Sequence, residues 1–214
     1  MKKTDVLKEA LLTFLRNLWD LMVLNWLWML CSLPVVTMGP ATCAMLSVTL
    51  KIARGEPVYT AKEFFQGFRE NFRPALVTGL LAAVMLVVSA GDIRFSMQQE
   101  DPIRTVYLAL GVVIATLAMT VISYGFGLLA MFENPLKVHL ANALKLAVLA
   151  PGKTIAMWMI WLFPILTVVA LPLSVIWPLG FLYLIAGASF PAYLNSRILR
   201  DVFDKINGSP VIPD

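Results

Sequence analysis

The sequence has a single histidine, His139, and only two cysteines, Cys31 and Cys43, so it can build neither a multi-histidine metal centre nor a disulfide-framed secreted fold. It contains no Walker loop, nucleophile elbow or paired-cysteine metal motif, and the expectation is a non-catalytic protein with no cofactor. Charged residues make up 14% of 214, too few to coat a soluble globule of that length. Carboxylates are missing from the apolar runs: Asp20, Asp92 and Glu133 fall at their edges. That argues against a proton- or sodium-coupled carrier, which buries ionisable groups in its path. No cleaved leader is evident, because the first apolar run begins near Leu18, exceeds an h-region and leads into further runs.

Apolar residues are abundant, at 59% of the chain and a mean hydropathy of +0.80. The charges gather in short segments between apolar runs, as alternating spans and loops require. With six crossings, 15 of the 17 lysines and arginines fall on one side and only Arg94 and Arg104 on the other. The positive-inside rule then places both termini in the cytosol of a bacterial plasma membrane. The expected fold class is all-α: a polytopic helical membrane protein of about six transmembrane helices with amphipathic cytosolic interfacial helices. A single domain covers 1–206, with spans at about 18–33, 41–54, 74–91, 105–132, 154–171 and 173–193, and a flexible tail at 207–214.

The first pair of spans is the difficult one. Leu18 to Leu50 is too long for one crossing and short for two, and Pro34, Gly39 and Pro40 interrupt it. Basic residues flank it on both sides, so it forms either a tight helical hairpin or a re-entrant loop, whose irregular backbone must be covered by protein. Cys31 and Cys43 bracket the tip, either as small buried apolar residues or as a disulfide stapling the hairpin at the outer face.

On the cytosolic side, Phe64, Phe65, Phe68 and Phe72 recur at helical spacing opposite Lys62, Gln66, Arg69 and Arg73. Thr60 and Glu63 form a capping box, and Pro74 suits the first turn of the next span. Weaker stripes follow the same pattern at Val6–Leu18, at Leu136, Leu140, Leu144 and Val148, and at Ile198, Leu199, Val202, Phe203 and Ile206. These helices either float on the inner leaflet or form a platform that docks a partner, with Phe64, Phe65, Phe68, Phe72, Arg69 and Arg73 as the docking candidates.

Two polar sets lie inside spans. Asn25, between Trp26 and Trp28, needs a hydrogen-bond partner on another helix, and Thr116, Thr120 and Tyr124 make a hydroxyl stripe on the long central span. These four residues serve either helix packing or a solute pathway, with Trp158, Trp161 and Trp177 as aromatic neighbours or interface anchors. His139 is expected as a polar residue at the interface. Nucleic-acid binding is excluded, because the net charge of +4 is explained by topology.

The stretch Ser32-Leu-Pro-Val-Val-Thr-Met-Gly-Pro-Ala-Thr42, then Arg54-Gly-Glu56, then Phe64-Phe-x-x-Phe68-Arg-x-Asn71-Phe72 resembles the YesL-like family of bacterial membrane proteins. The resemblance runs from about Leu15 to Asp204. It implies an integral membrane protein of unknown function, often encoded beside carbohydrate ABC transporters, and supplies no site residues. The expected function is a non-catalytic accessory, scaffold or regulator of carbohydrate ABC uptake. Its partners would be the bilayer and either an ABC permease or further copies of itself. The alternative is a small-solute, oligosaccharide-type transporter or channel, and an embedded enzyme is the remotest reading.

Overall fold

The apolar periodicity is helical wherever the computed structural model describes the chain, which is the backbone of 3–170 and 172–207 and the side chains of 17–205 apart from 165, 168–171 and 173–179. The helices are α1 (Lys3–Cys31), α2 (Met38–Arg54), α3 (Thr60–Glu70), α4 (Phe72–Ser96), α5 (Ile103–Thr120), α6 (Phe126–Met131), α7 (Leu136–Leu149), α8 (Pro151–Ala170), α9 (Leu173–Ala186) and α10 (Ser189–Asn207). A 3₁₀ turn, Val35–Thr37, precedes α2, and a π turn, Val121–Gly125, joins α5 to α6. The expected tail from 208 onward and the N-terminal stripe at Val6–Leu15 lie outside the described residues and side chains, as does the Trp177 side chain.

By length and composition, three helical stretches among the described residues can cross a membrane: Val35–Arg54, Phe72–Ser96 and Ile103–Met131. The pair Leu136–Leu149 and Pro151–Pro164, bent by 109°, makes a fourth if it is counted as one broken span. The described helices depart from the expected spans in two places. The expected N-terminal amphipathic segment and first span form one continuous helix, α1. The expected span 173–193 is instead broken: α9 has 14 residues, about 21 Å at 1.5 Å per residue, short of a hydrocarbon core.

Helix α2 is the central strut. Some 67% of its apolar window is buried inside the protein, against 17% for α4 and 22% for the α5–α6 stretch. Leu24, Met45, Leu46, Phe64 and Phe126 form one core around it, and Leu50, Tyr124, Leu128, Met157, Leu199 and Phe203 a second. Gly55 ends α2 at φ +75°, with the Gly55 amide bonded to the Ile52 carbonyl and the Glu56 amide to that of Lys51. This is a Schellman cap, and only glycine adopts that backbone freely.

Helix α3 runs antiparallel along α2. Lys51 Nζ pairs with Glu63 Oε2 at 2.8 Å, Gly67 sits on Ser47, and Gly39 meets Ala75 and Gly79 at the start of α4. An apolar helix is therefore flanked by one whose outward residues, Lys62, Arg69 and Glu70, are charged. On its other side α10 closes the strut: Thr49 and Ser196 share a hydroxyl–hydroxyl bond at 2.7 Å, and Arg200 donates to the Ala53 carbonyl at 2.6 Å. The α10 stripe thus packs inward through Leu199, Val202 and Phe203. Helix α7 buries His139, Ala143 and Leu146 against the rest of the protein and leaves Leu144 and Val148 of its apolar stripe exposed.

The cap of α3 is also shifted from expectation. Glu63 Oε1 accepts from the Tyr59 amide at 3.0 Å, but the Thr60 hydroxyl donates to Asp20 at 2.6 Å and ties α3 to α1. Burial alone would raise the Glu63 carboxyl, but the bonds from Lys51 and the Tyr59 amide and the charges of Lys51 and Lys62 outweigh it and hold it below the usual range. A depressed carboxylate stabilises the fold above its unfolded pKa of about 4.3, and loses that contribution as pH falls through the folded value. Glu63→Gln should therefore lower stability at pH 7 by up to about 1 kcal/mol, since Lys51 is half-exposed and the pair is screened. Thermal unfolding of the two proteins should converge as pH falls towards 3.5, and a constant gap would show that the carboxylate charge is not the cause.

Candidate functional site

Asn25 lies fully buried on α1, opposite the break between α9 and α10. Its amide nitrogen donates to the carbonyls of Tyr183 and Leu184, each at 3.0 Å. Its amide oxygen accepts from the backbone N–H of Ala188 at 2.9 Å and of Ser189 at 3.4 Å. One side chain thus serves the last carbonyls of one helix and the first amides of the next, the groups a helix end leaves without partners. Here is the interhelical partner that the sequence demanded, and it is backbone.

The hairpin tip is closed in the same way. Ser32, Leu33 and Thr37 donate their amides to the carbonyls of Trp28, Leu30 and Pro34. The Thr37 hydroxyl reaches the carbonyls of Cys31 at 2.6 Å and Pro34 at 2.7 Å. The outward side chains of the tip, Leu33, Val35 and Val36, are apolar and exposed. A non-helical turn whose backbone is satisfied from within and whose surface is apolar is suited to hydrocarbon. The stapling disulfide is not formed: Cys31 and Cys43 are free thiols, and Cys43 is buried with its Sγ 3.7 Å from the Phe126 carbonyl.

Between the tip, α1, α4, α8 and α9 opens a cleft of about 620 Å³, within the size range of small-molecule sites. Its walls are mainly apolar, with Met29, Val36, Leu80 and Leu86 beside Trp161 and Tyr183. Nothing in the periodicity announced it. It arises where α9 breaks, and the local signals were the small residues Gly187, Ala188 and Ser189 preceding Pro191.

The hydroxyl stripe does not line this cleft. Thr116 is exposed and bonds back to the Val112 carbonyl at 2.8 Å, and Thr120 does the same to Thr116 at 2.8 Å. Tyr124 is buried on the π turn and its hydroxyl meets that of Thr154 at 2.9 Å, at the elbow between α7 and α8. The stripe winds from the outside of the protein into its core, and each of its hydroxyls has a structural partner. His139, expected at the interface, is buried, and its Nδ1 has no partner.

The phenylalanines of α3 divide in two. Phe64 is buried and stacks on Phe68, with ring centroids 6.3 Å apart, and Phe68 packs edge-on against Phe72 at 5.4 Å. Only Phe65 is exposed, together with Arg69 and Arg73. The surface available to a partner is therefore Phe65, Arg69 and Arg73, with Phe64, Phe68 and Phe72 as the packing that supports it.

Residues 21–93, from α1 into α4, match a family described as "Protein of unknown function, DUF624". A protein of Bacillus subtilis (strain 168) described as "Uncharacterized protein YesL" is 28% identical over 141 residues, covering 63% of this chain and 65% of that protein. The matched part thus spans just under two thirds of the relative's length. No solved structure matches the chain. The two sequence matches bear out the YesL-like resemblance.

Proposed function

We propose that this YesL-like chain is a non-catalytic, multi-pass protein of the bacterial plasma membrane with both termini cytosolic, acting as an accessory, scaffold or regulator of carbohydrate ABC uptake. The observation that carries the reading is the braced α3 face. Phe65 and Arg69 project from a helix locked to α2 by the Lys51–Glu63 pair and to α1 by the Thr60–Asp20 bond, with Arg73 beside them at the start of α4, a rigid presentation that suits docking. In this reading α4 and α5 cross the bilayer, with Arg94 and Arg104 outside and α3 at the cytosolic surface. The transport context comes from the family resemblance, and the docking residues come from exposure.

The oligosaccharide carrier is the weaker alternative, because the hydroxyls of Thr116, Thr120 and Tyr124 are already bonded within the protein. Purification in mild detergent from native bacterial membranes, with mass spectrometry of what stays bound, tests the proposal. The expected result is recovery of an ABC permease in fixed proportion, falling about tenfold or more in a Phe65→Ser, Arg69→Glu variant, the size of effect an interface anchor carries. Recovery of the protein alone, or a permease bound equally well by the variant, would remove the basis for this reading.

A further inference from the structure

Among the described residues, five polar side chains line the cleft beside the hairpin tip: Asn25, Trp28, Thr42, Trp161 and Tyr183. Four are committed elsewhere. Asn25 holds the α9–α10 break. The Trp28 indole donates to the Thr42 hydroxyl at 3.0 Å, and the Thr42 hydroxyl in turn donates to the Met38 carbonyl at 2.7 Å. The Tyr183 hydroxyl donates to the Pro164 carbonyl at 2.7 Å. Only the Trp161 N–H, buried and without an acceptor, is uncommitted.

That inventory selects the ligand. A sugar brings many hydroxyls, and each one left unpaired against these walls is penalised by the loss of its water. An alkyl chain brings none, and burying each of its methylenes is favourable. The rim is apolar and exposed, with Val35 at 77%, Val36 at 57%, Leu80 at 46% and Leu184 at 42%, so the cleft opens onto hydrocarbon where the protein sits in a bilayer. We propose that it holds one acyl chain of a membrane phospholipid. The inference needs the chain to be in a membrane, and does not depend on any ABC partner.

Gly180 provides the test, because it lines the cleft and a Cβ there meets nothing within 4 Å. The full chain is placed in phosphatidylethanolamine and phosphatidylglycerol vesicles that contain a phosphatidylglycerol with a diazirine in mid-chain. It is then irradiated, digested and mapped by mass spectrometry. Label should concentrate on the segments around 25–42 and 79–86. Gly180→Phe should reduce that label about tenfold, as displacement of roughly two buried methylenes would. Ala90→Phe, exposed on α4 and away from the cleft, should leave it unchanged. If Gly180→Phe does not fold, Ala83→Trp blocks the cleft from the opposite wall. The proposal is overturned if label spreads evenly over the outward residues of α4 and α5, if the blocked variants label like the original, or if a chain-to-chain cross-link occupies the cleft. It is equally overturned if a photoreactive maltohexaose labels the same segments.

Discussion

Asn25→Leu should lower the stability of the protein by about 3–5 kcal/mol, near the top of what single substitutions do. Leucine fills a similar volume, so little of the loss is cavity. The loss comes from the carbonyl of Leu184 and the amides of Ala188 and Ser189, which Asn25 serves in a fully buried site. Such groups have no water to turn to, and each costs about 1–3 kcal/mol when unpaired. Thermal unfolding in detergent, followed by the loss of monodisperse protein, should show a midpoint roughly 10 °C lower. A leucine variant that unfolds with the original would mean that the break between α9 and α10 is held by something else.

The second large effect is expected at Gly39. A Cβ there would come within 2.5 Å of the Ala75 carbonyl oxygen and 3.1 Å of the Gly79 Cα, and both are backbone atoms that cannot swing aside. Gly39→Ala must push α2 away from α4, at about 1–3 kcal/mol, and Gly39→Leu more. Gly79→Ala meets the same contact from the other side, its Cβ 3.0 Å from the Gly39 Cα. Once the helices have separated for one methyl the second finds room, so the double variant should lose clearly less than the sum of the singles. Gly91→Ala, in open space on α4, is the control and should be neutral or slightly stabilising. Additive losses at 39 and 79 would mean that the two glycines do not share a contact.

What could be read from the sequence followed from which interactions are local. The four-residue spacing of Phe64 and Phe68 and the capping chemistry around Glu63 are properties of one helix, and α3 begins within a residue of where they put it; Phe72 and Arg73, expected on the same helix, instead open α4 beyond a break at Asn71. The proline–glycine interruption at 34–40 does turn the chain back on itself. Periodicity gives a helix its two faces, but it cannot say which neighbour covers which face. On α7 the stripe through Leu144 and Val148 stays exposed, and what the spacing of those residues does not show is that the His139, Ala143 and Leu146 face is the one covered by the rest of the protein. The span expected over 173–193 read as unbroken because its apolar run is continuous. What divides it is a side chain 158 positions away, Asn25 against Tyr183, and one-dimensional hydropathy carries no trace of such a contact. The cleft was hidden for the same reason, since its walls come from segments scattered between residues 25 and 191.

The wrapping of α2 by α10 has a consequence for how the protein is made. Thr49 and Ser196 are 147 residues apart, so the strut leaves the ribosome roughly 10–30 s before its covering helix exists. During that interval the Thr49 hydroxyl and the Ala53 carbonyl lack the partners that Ser196 and Arg200 later supply. The core around α2 is therefore completed only after α10 has been made.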